Sequence, residues 1–136
     1  YGDEFTETQV EHIIKALEPD YIRGFSLLGG EPMHPANQGA VLSLVKKVRA
    51  AYPSKDIWCY TGYDFEKDIM HDMYPNNPDT KELLHFFDIM VDGKFVEELK
   101  DLGLRFRGSS NQRIIDVKKS LETGEVVHWE FENLQN

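Results

Sequence analysis

Apolar and polar positions divide the chain into helical and extended stretches that follow one another in turn. Val10, Ile13, Ile14 and Leu17 recur at the spacing of one helix face, and Pro19 ends the run. Just ahead, Thr6 and Gln9 have capping-box spacing, in which the threonine accepts the Gln9 amide N–H and the glutamine reaches back. Residues 21–28 are short and mostly apolar, which predicts a buried strand running into Gly29-Gly30-Glu31-Pro32. A second helix fits residues 37–52, with Val41, Leu44, Val45 and Val48 on one face and Lys46, Lys47 and Arg49 elsewhere, before Pro53-Ser54 breaks it.

Residues 56–61 predict the next strand, closed by Gly62. Helical pieces follow at 65–73 and 79–86, separated by Pro75-Asn76-Asn77-Pro78, the second opening with Asp79 and Glu82 at capping spacing. Residues 87–92 predict a third strand ending at Gly93, residues 114–117 a fourth, and residues 126–131 a last strand or edge. Alternating strands and helices of about a dozen residues imply right-handed crossovers and an α/β fold with a mainly parallel sheet. No repeat, low-complexity tract or linker divides the chain, so residues 1–136 are expected to form one domain. Ligands of such sheets lie beyond the carboxyl ends of the strands. The three strongest local signals fall there: Gly29-Gly30-Glu31-Pro32, Tyr60-Thr61-Gly62 and Val91-Asp92-Gly93-Lys94.

Composition narrows the function classes. A chain of 136 residues buries about two thirds of its unfolded surface, enough for its own core. Fifteen Lys and Arg against 24 Asp and Glu leave a net charge of −9, which argues against non-specific nucleic-acid binding. No stretch approaches the roughly 20 apolar residues that span a bilayer, and no signal-peptide pattern opens the chain. The one cysteine, Cys59, excludes an internal disulfide and makes a reducing cytoplasm the default expectation. Tyr1 in place of an initiator Met predicts an internal start.

Each strand-end signal has a chemical reading. Two glycines let a ligand approach the backbone, Glu31 supplies a negative charge suited to an ammonium group, and Pro32 stiffens the exit. Read alone, the loop is equally a tight strand-to-helix turn. Asp92 and Lys94, two apart on extended chain, are expected to project alike and together to hold a zwitterionic or hydroxylated ligand; a solvated ion pair is the plainer alternative. Tyr60 and Thr61 offer hydroxyls at the neighbouring strand end, or simply cap it. Residues 105–113 pack three arginines among small hydrogen-bonding groups, as an anion- or nucleoside-binding loop does, and as a solvated polar loop also does. The five histidines show no metal-ligand spacing, Cys59 reads as a buried apolar residue, and Ser109 and Ser110 lack a visible triad partner.

In order and spacing, four blocks resemble the activating proteins of anaerobic ribonucleoside-triphosphate reductases. They are Ser26-Leu27-Leu28-Gly29-Gly30-Glu31-Pro32-Met33-His34-Pro35, Lys55-Asp56-Ile57-Trp58 with Tyr60-Thr61-Gly62-Tyr63, Val91-Asp92-Gly93-Lys94-Phe95-Val96, and Phe106-Arg107-Gly108-Ser109-Ser110-Asn111-Gln112. The resemblance covers roughly residues 5–117. The first block is shared by many radical S-adenosylmethionine enzymes; the last two narrow it to this family.

The resemblance implies a partial (β/α) barrel of radical-S-adenosylmethionine type whose first strand leads into a Cys-x3-Cys-x2-Cys loop holding a [4Fe–4S] cluster. It implies that the reduced cluster cleaves S-adenosylmethionine and that the resulting 5′-deoxyadenosyl radical makes a glycyl radical on the reductase. Gly29, Gly30, Glu31 and Pro32 are then expected at the methionyl amine, with Asp92, Lys94, Tyr60 and Thr61 as further cofactor contacts. Arg107, Ser109, Ser110, Asn111 and Gln112 are expected at the cofactor or the reductase. The implied partners are the reductase, an electron donor such as a flavodoxin, and a second copy of the chain in a homodimer; neither nucleic acid nor membrane is implied.

One departure from the family is large. No Cys-x3-Cys-x2-Cys occurs, so the first strand and cluster loop are expected upstream of Tyr1, and the chain as given is expected to be inactive. The tail after about Val117 has no functional reading. Two alternatives stay open: another small radical enzyme, either an activator of a different glycyl radical enzyme or one of deazapurine synthesis, and a cluster-less, non-catalytic α/β binding module.

Overall fold

The computed structural model describes residues 7–20, 22, 24–27, 31–94, 96–100, 109 and 111–129. Helix α1 (Glu7–Ala16) leads to strand β1 (Gly24–Leu27), helix α2 (Pro35–Ala51) and strand β2 (Asp56–Tyr60). A π-helix (Phe65–Met73) passes without a break into the short α3 (Tyr74–Asn76) and is followed by α4 (Pro78–Phe86) and β3 (Ile89–Asp92). A 3₁₀ turn (Glu97–Leu99), β4 (Arg113–Asp116) and α5 (Val117–Thr123) complete the described elements.

The strands form one four-stranded sheet in the order β1-β2-β3-β4. β1, β2 and β3 run parallel, whereas β4 pairs antiparallel with β3, so the sheet is mixed and mostly parallel. It is open rather than closed into a barrel. Because the first three strands are parallel, the loops after Leu27, Tyr60 and Asp92 emerge at one edge.

Residues alternate between the two sheet faces. Leu27, Ile57, Cys59, Met90 and Ile115 face the helices and pack with Val41, Leu44, Val45 and Val48 of α2 and with Leu83 and Leu84 of α4. The opposite face carries Trp58, Ile89, Val91 and Ile114, with Tyr60 and Trp129 packed against them. There the Trp58 and Trp129 rings meet edge to face at 5.2 Å, a favourable arrangement of aromatic quadrupoles.

Several elements differ from their sequence reading. β1 is only half-buried, with Ser26 exposed, because it carries a described strand on one side only. Helix α2 begins two residues early: Pro35 occupies the first turn, where no amide is needed, and His34 Nδ1 accepts the Ala36 amide. Asn77 rather than Asp79 caps α4, accepting the Asp79 amide ahead of Pro78. Val117 does not end a strand but starts α5, because Asp116 Oδ1 accepts the Lys119 amide and begins a helix that stops at left-handed Gly124. Of the last expected strand, one bridge forms, His128 to Ile115, while residues 130 and 131 lie outside the described set, as does Thr6 of the expected capping box.

Buried polar groups join the layers. Gln38 donates to the Met33 carbonyl at 2.8 Å and accepts from the Thr80 hydroxyl at 2.7 Å, tying α2 to α4 and to the loop after β1. At the other end of the sheet, Arg49 pairs with Asp88 at 2.8 Å and donates to the Pro53, Lys55 and Phe86 carbonyls. Lys55 donates to the Pro19 and Ile22 carbonyls and lies over the Tyr52 ring, fixing the path from α1 into β1. Among the described residues, no helix is long and apolar enough to cross a membrane.

Candidate functional site

The loops at the carboxyl edge of the parallel strands are tied to one another. Glu31, at a left-handed φ of 37°, turns its carboxylate back over the edge. Its Oε2 accepts from the Met33 amide at 3.0 Å and the Thr61 hydroxyl at 2.6 Å, and its Oε1 accepts from the Gly62 amide at 2.7 Å. Its carbonyl accepts from the His34 amide and from Asn37 Nδ2, both at 3.1 Å. A non-glycine residue at positive φ costs energy unless its surroundings hold it, and these bonds do so. The third loop joins the second where the Gly93 amide donates to the Tyr63 carbonyl at 3.0 Å.

Charge at this edge is unevenly matched. Among the described residues, Glu31 and Lys94 each lack an ion-pair partner. They flank Gly62: a Cβ built there would lie 3.3 Å from Glu31 Oε1 and 3.7 Å from Lys94 Cγ. The Glu31 carboxylate and the stem of the Lys94 side chain thus both approach Gly62 closely, which the missing glycine side chain permits.

Asp92 does not accompany Lys94. Gly93, at φ 94°, turns the chain after β3, so Asp92 is 1 % exposed while Lys94 faces solvent. Asp92 takes a two-pronged bond from Arg113, Nε to Oδ1 at 3.0 Å and Nη2 to Oδ2 at 2.6 Å, and it also accepts the Phe65 amide at 2.8 Å. The expectation that Asp92 and Lys94 project alike is therefore corrected: the antiparallel register puts Asp92 opposite Arg113, which binds its carboxylate. Arg113 also bonds Glu66 at 2.7 Å, and its hydrogen bond with Asp92 raises its pKa further, against the effect of burial.

The hydroxyl pair divides as well. Thr61 is buried and spends its oxygen internally, donating to Glu31 and accepting the Tyr63 amide at 3.2 Å. Tyr60 is half-buried on the other sheet face, with its ring 6.4 Å from that of Trp58, and burial pushes its hydroxyl pKa up. Pro32 is buried within the loop after β1. Ser109, Asn111 and Gln112 bond to the loop after β3, whereas Gly29, Gly30, Arg107 and Ser110 lie outside the described residues. Asp64 caps the π-helix, Asp68 accepts the Asp64 amide, and Glu66 accepts from Arg113.

Cys59 is fully buried, and burial, with the nearby Glu31 charge, raises its thiol pKa well above the ordinary value. Among the described residues, no group of three His, Cys, Asp or Glu side chains is placed to hold a metal. A three-thiolate cluster does not fit these residues.

Sequence reasoning passed over Arg113 as a partner of Asp92, and Asn37, Gln38 and Thr80 as supports of the loop after β1. The available signal for Arg113 was its place at the start of an apolar run that could pair with the third strand.

Comparison with known proteins adds the family. A family model described as a 4Fe-4S single cluster domain matches residues 1–115. The activating protein of the anaerobic ribonucleoside-triphosphate reductase of Vibrio cholerae is 44 % identical over 115 residues, covering 83 % of this chain and 69 % of that protein. The chain belongs to the family of anaerobic ribonucleoside-triphosphate reductase-activating proteins. The Escherichia coli K12 member is 41 % identical over 113 residues, 82 % of this chain and 68 % of its own. The member from Enterobacteria phage T4 is 39 % identical, over 83 % of this chain and 65 % of its own. No solved structure matches.

Proposed function

We propose that this chain forms the S-adenosylmethionine-binding wall of an enzyme that generates a glycyl radical on the anaerobic ribonucleoside-triphosphate reductase. In this reading the open sheet is part of a partial (β/α) barrel of radical-S-adenosylmethionine type. The carrying observation is that an acidic and a basic side chain, Glu31 through its carboxylate and Lys94 through its stem, both approach Gly62 at the carboxyl edge of the parallel strands. That arrangement suits the zwitterionic methionyl end of the cofactor, with the Lys94 ammonium for its carboxylate and the Glu31 charge for its amine.

S-adenosylmethionine bound here would supply radical chemistry to a glycine of the reductase, an electron from a reduced [4Fe–4S] cluster breaking its sulfonium bond and releasing methionine. The residues described here bind and orient. Glu31 draws the first two loops together, Asp92 and Arg113 anchor the end of β3 to β4 and the π-helix, and Gly62 lets Glu31 and Lys94 approach one another's loops. The cluster needs three thiolates beyond Cys59.

The deciding experiment uses the full-length protein with its cluster reconstituted anaerobically, then reduced and mixed with S-adenosylmethionine and the reductase. The expected result is a glycyl-radical signal in electron paramagnetic resonance on the reductase. A reconstituted protein that binds no S-adenosylmethionine, or yields no such signal, overturns the proposal.

A further inference from the structure

Ser109, Asn111 and Gln112 enclose the backbone on both sides of Lys94. Gln112 Nε2 donates to the Gly93 carbonyl at 3.0 Å while its Oε1 accepts the Ser109 amide at 3.1 Å. Asn111 Nδ2 donates to the Lys94 carbonyl at 2.8 Å while its Oδ1 accepts the Ser109 hydroxyl proton at 2.6 Å. Ser109 Oγ in turn accepts the Val96 amide at 3.2 Å, and Ser109 is fully buried. The loop is therefore gripped at Gly93, Lys94 and Val96 by three side chains that also grip one another.

This geometry bears on the charge that Lys94 presents. A lysine side chain loses rotamer freedom when it is fixed, and on a loose loop the backbone's disorder adds to that cost, so a lysine there is a weak anion site. Fixing the backbone at both flanking peptides removes the loop's share of that disorder before the ligand arrives. Gly93 is matched to the grip: at its left-handed φ of 94°, a Cβ would sit 3.6 Å from Asn111 Nδ2 and 3.8 Å from the Gln112 Cα. Both ends of each amide side chain already have protein partners, which suits a support better than a ligand contact.

We propose that Asn111 and Gln112, backed by Ser109, are positioning residues that aim the Lys94 ammonium at the carboxylate of a zwitterionic ligand. This rests on the site proposed above and assigns Ser109, Asn111 and Gln112 to positioning rather than to contact with cofactor or partner.

The test is a double-mutant cycle on the full-length, cluster-loaded protein, reading the S-adenosylmethionine Kd by equilibrium dialysis. Gln112→Ala and Asn111→Ala are each expected to weaken binding about tenfold in the wild-type background. In a Lys94→Ala background each is expected to add almost nothing, because the group they aim is gone. Gln112→Glu, which keeps the acceptor for the Ser109 amide but loses the donor to Gly93, is expected to bind almost as weakly as Gln112→Ala, with folding of each variant checked by circular dichroism. Full, additive losses in the Lys94→Ala background overturn the proposal, as does wild-type affinity in Asn111→Ala and Gln112→Glu. A wild-type protein that binds no S-adenosylmethionine overturns the underlying site as well, and so is distinguishable from failure of the positioning role alone.

Discussion

The Thr61 hydroxyl donates to Glu31 Oε2 at 2.6 Å across the gap between the loops after β1 and β2. Thr61 is almost completely buried, and Glu31 stands at a positive φ that only a firmly held non-glycine residue adopts. The bond therefore ties the loop after β2 to the loop after β1 at the carboxyl edge of the sheet.

Thr61→Val keeps the shape of the side chain and removes this donor, along with the acceptor for the Tyr63 amide. A buried charge-assisted bond lost in this way costs about 1.5–3 kcal/mol. Urea denaturation should show that loss, and Thr61→Ser should recover most of it. An unchanged midpoint for the valine variant would mean that the bond carries no weight.

The Asp92–Arg113 pair predicts an asymmetry. Asp92 is buried, whereas the Arg113 side chain is 28 % exposed and keeps Glu66 when Asp92 is lost. Arg113→Met leaves a buried carboxylate without its cation and should cost about 3–5 kcal/mol. Asp92→Asn keeps an acceptor for the Phe65 amide and should cost less, about 2–3 kcal/mol. Guanidinium unfolding of the two variants checks the order; equal losses would contradict it.

Much of this arrangement was legible in the chain, and the exceptions have physical causes. Val41, Leu44, Val45 and Val48 mark the buried face of α2 because a helix repeats its faces locally. The three strand ends could be brought together on paper because parallel strands point one way. Asp92 and Lys94 do not project alike because the rule that alternate residues share a face holds only on extended chain, and Gly93 leaves it. The Asp92–Arg113 contact depends on antiparallel register between segments 21 residues apart, which no local pattern encodes. Ile114, Ile115 and Val117 look like one strand, yet Asp116 between them prefers to cap a helix.

Asp56 supplies a pH dependence. Burial, followed by the Asp88 charge, raises its carboxyl pKa above the ordinary 3.8, with Arg49 opposing. A carboxyl raised in the folded state favours folding only while protonated. Its contribution is whole below the unfolded value and is lost as pH climbs through the higher folded value. Asp56→Asn should therefore gain stability relative to wild type between acid and neutral pH. Chemical denaturation at several pH values tests this, and a constant difference across the range would refute the assignment.

Cys59 gives the last prediction, because its thiol is sealed between the sheet and the helices. Burial first, and then the Glu31 charge, lifts its pKa well above 9.0, so the folded protein holds little of the thiolate that reacts with alkylating agents. Iodoacetamide should label Cys59 only when the core opens, at a rate that rises with urea in step with unfolding. The same raised value gives a second, independent readout. Above the ordinary thiol range the unfolded chain ionises while the folded one resists, so wild type should lose stability as pH rises there. Cys59→Ala removes the titrating group, and although its smaller side chain lowers stability at every pH, its profile should be flatter than that of wild type at alkaline pH. Rapid labelling of the native protein, or parallel profiles for the two proteins, would place the thiol outside the sealed core.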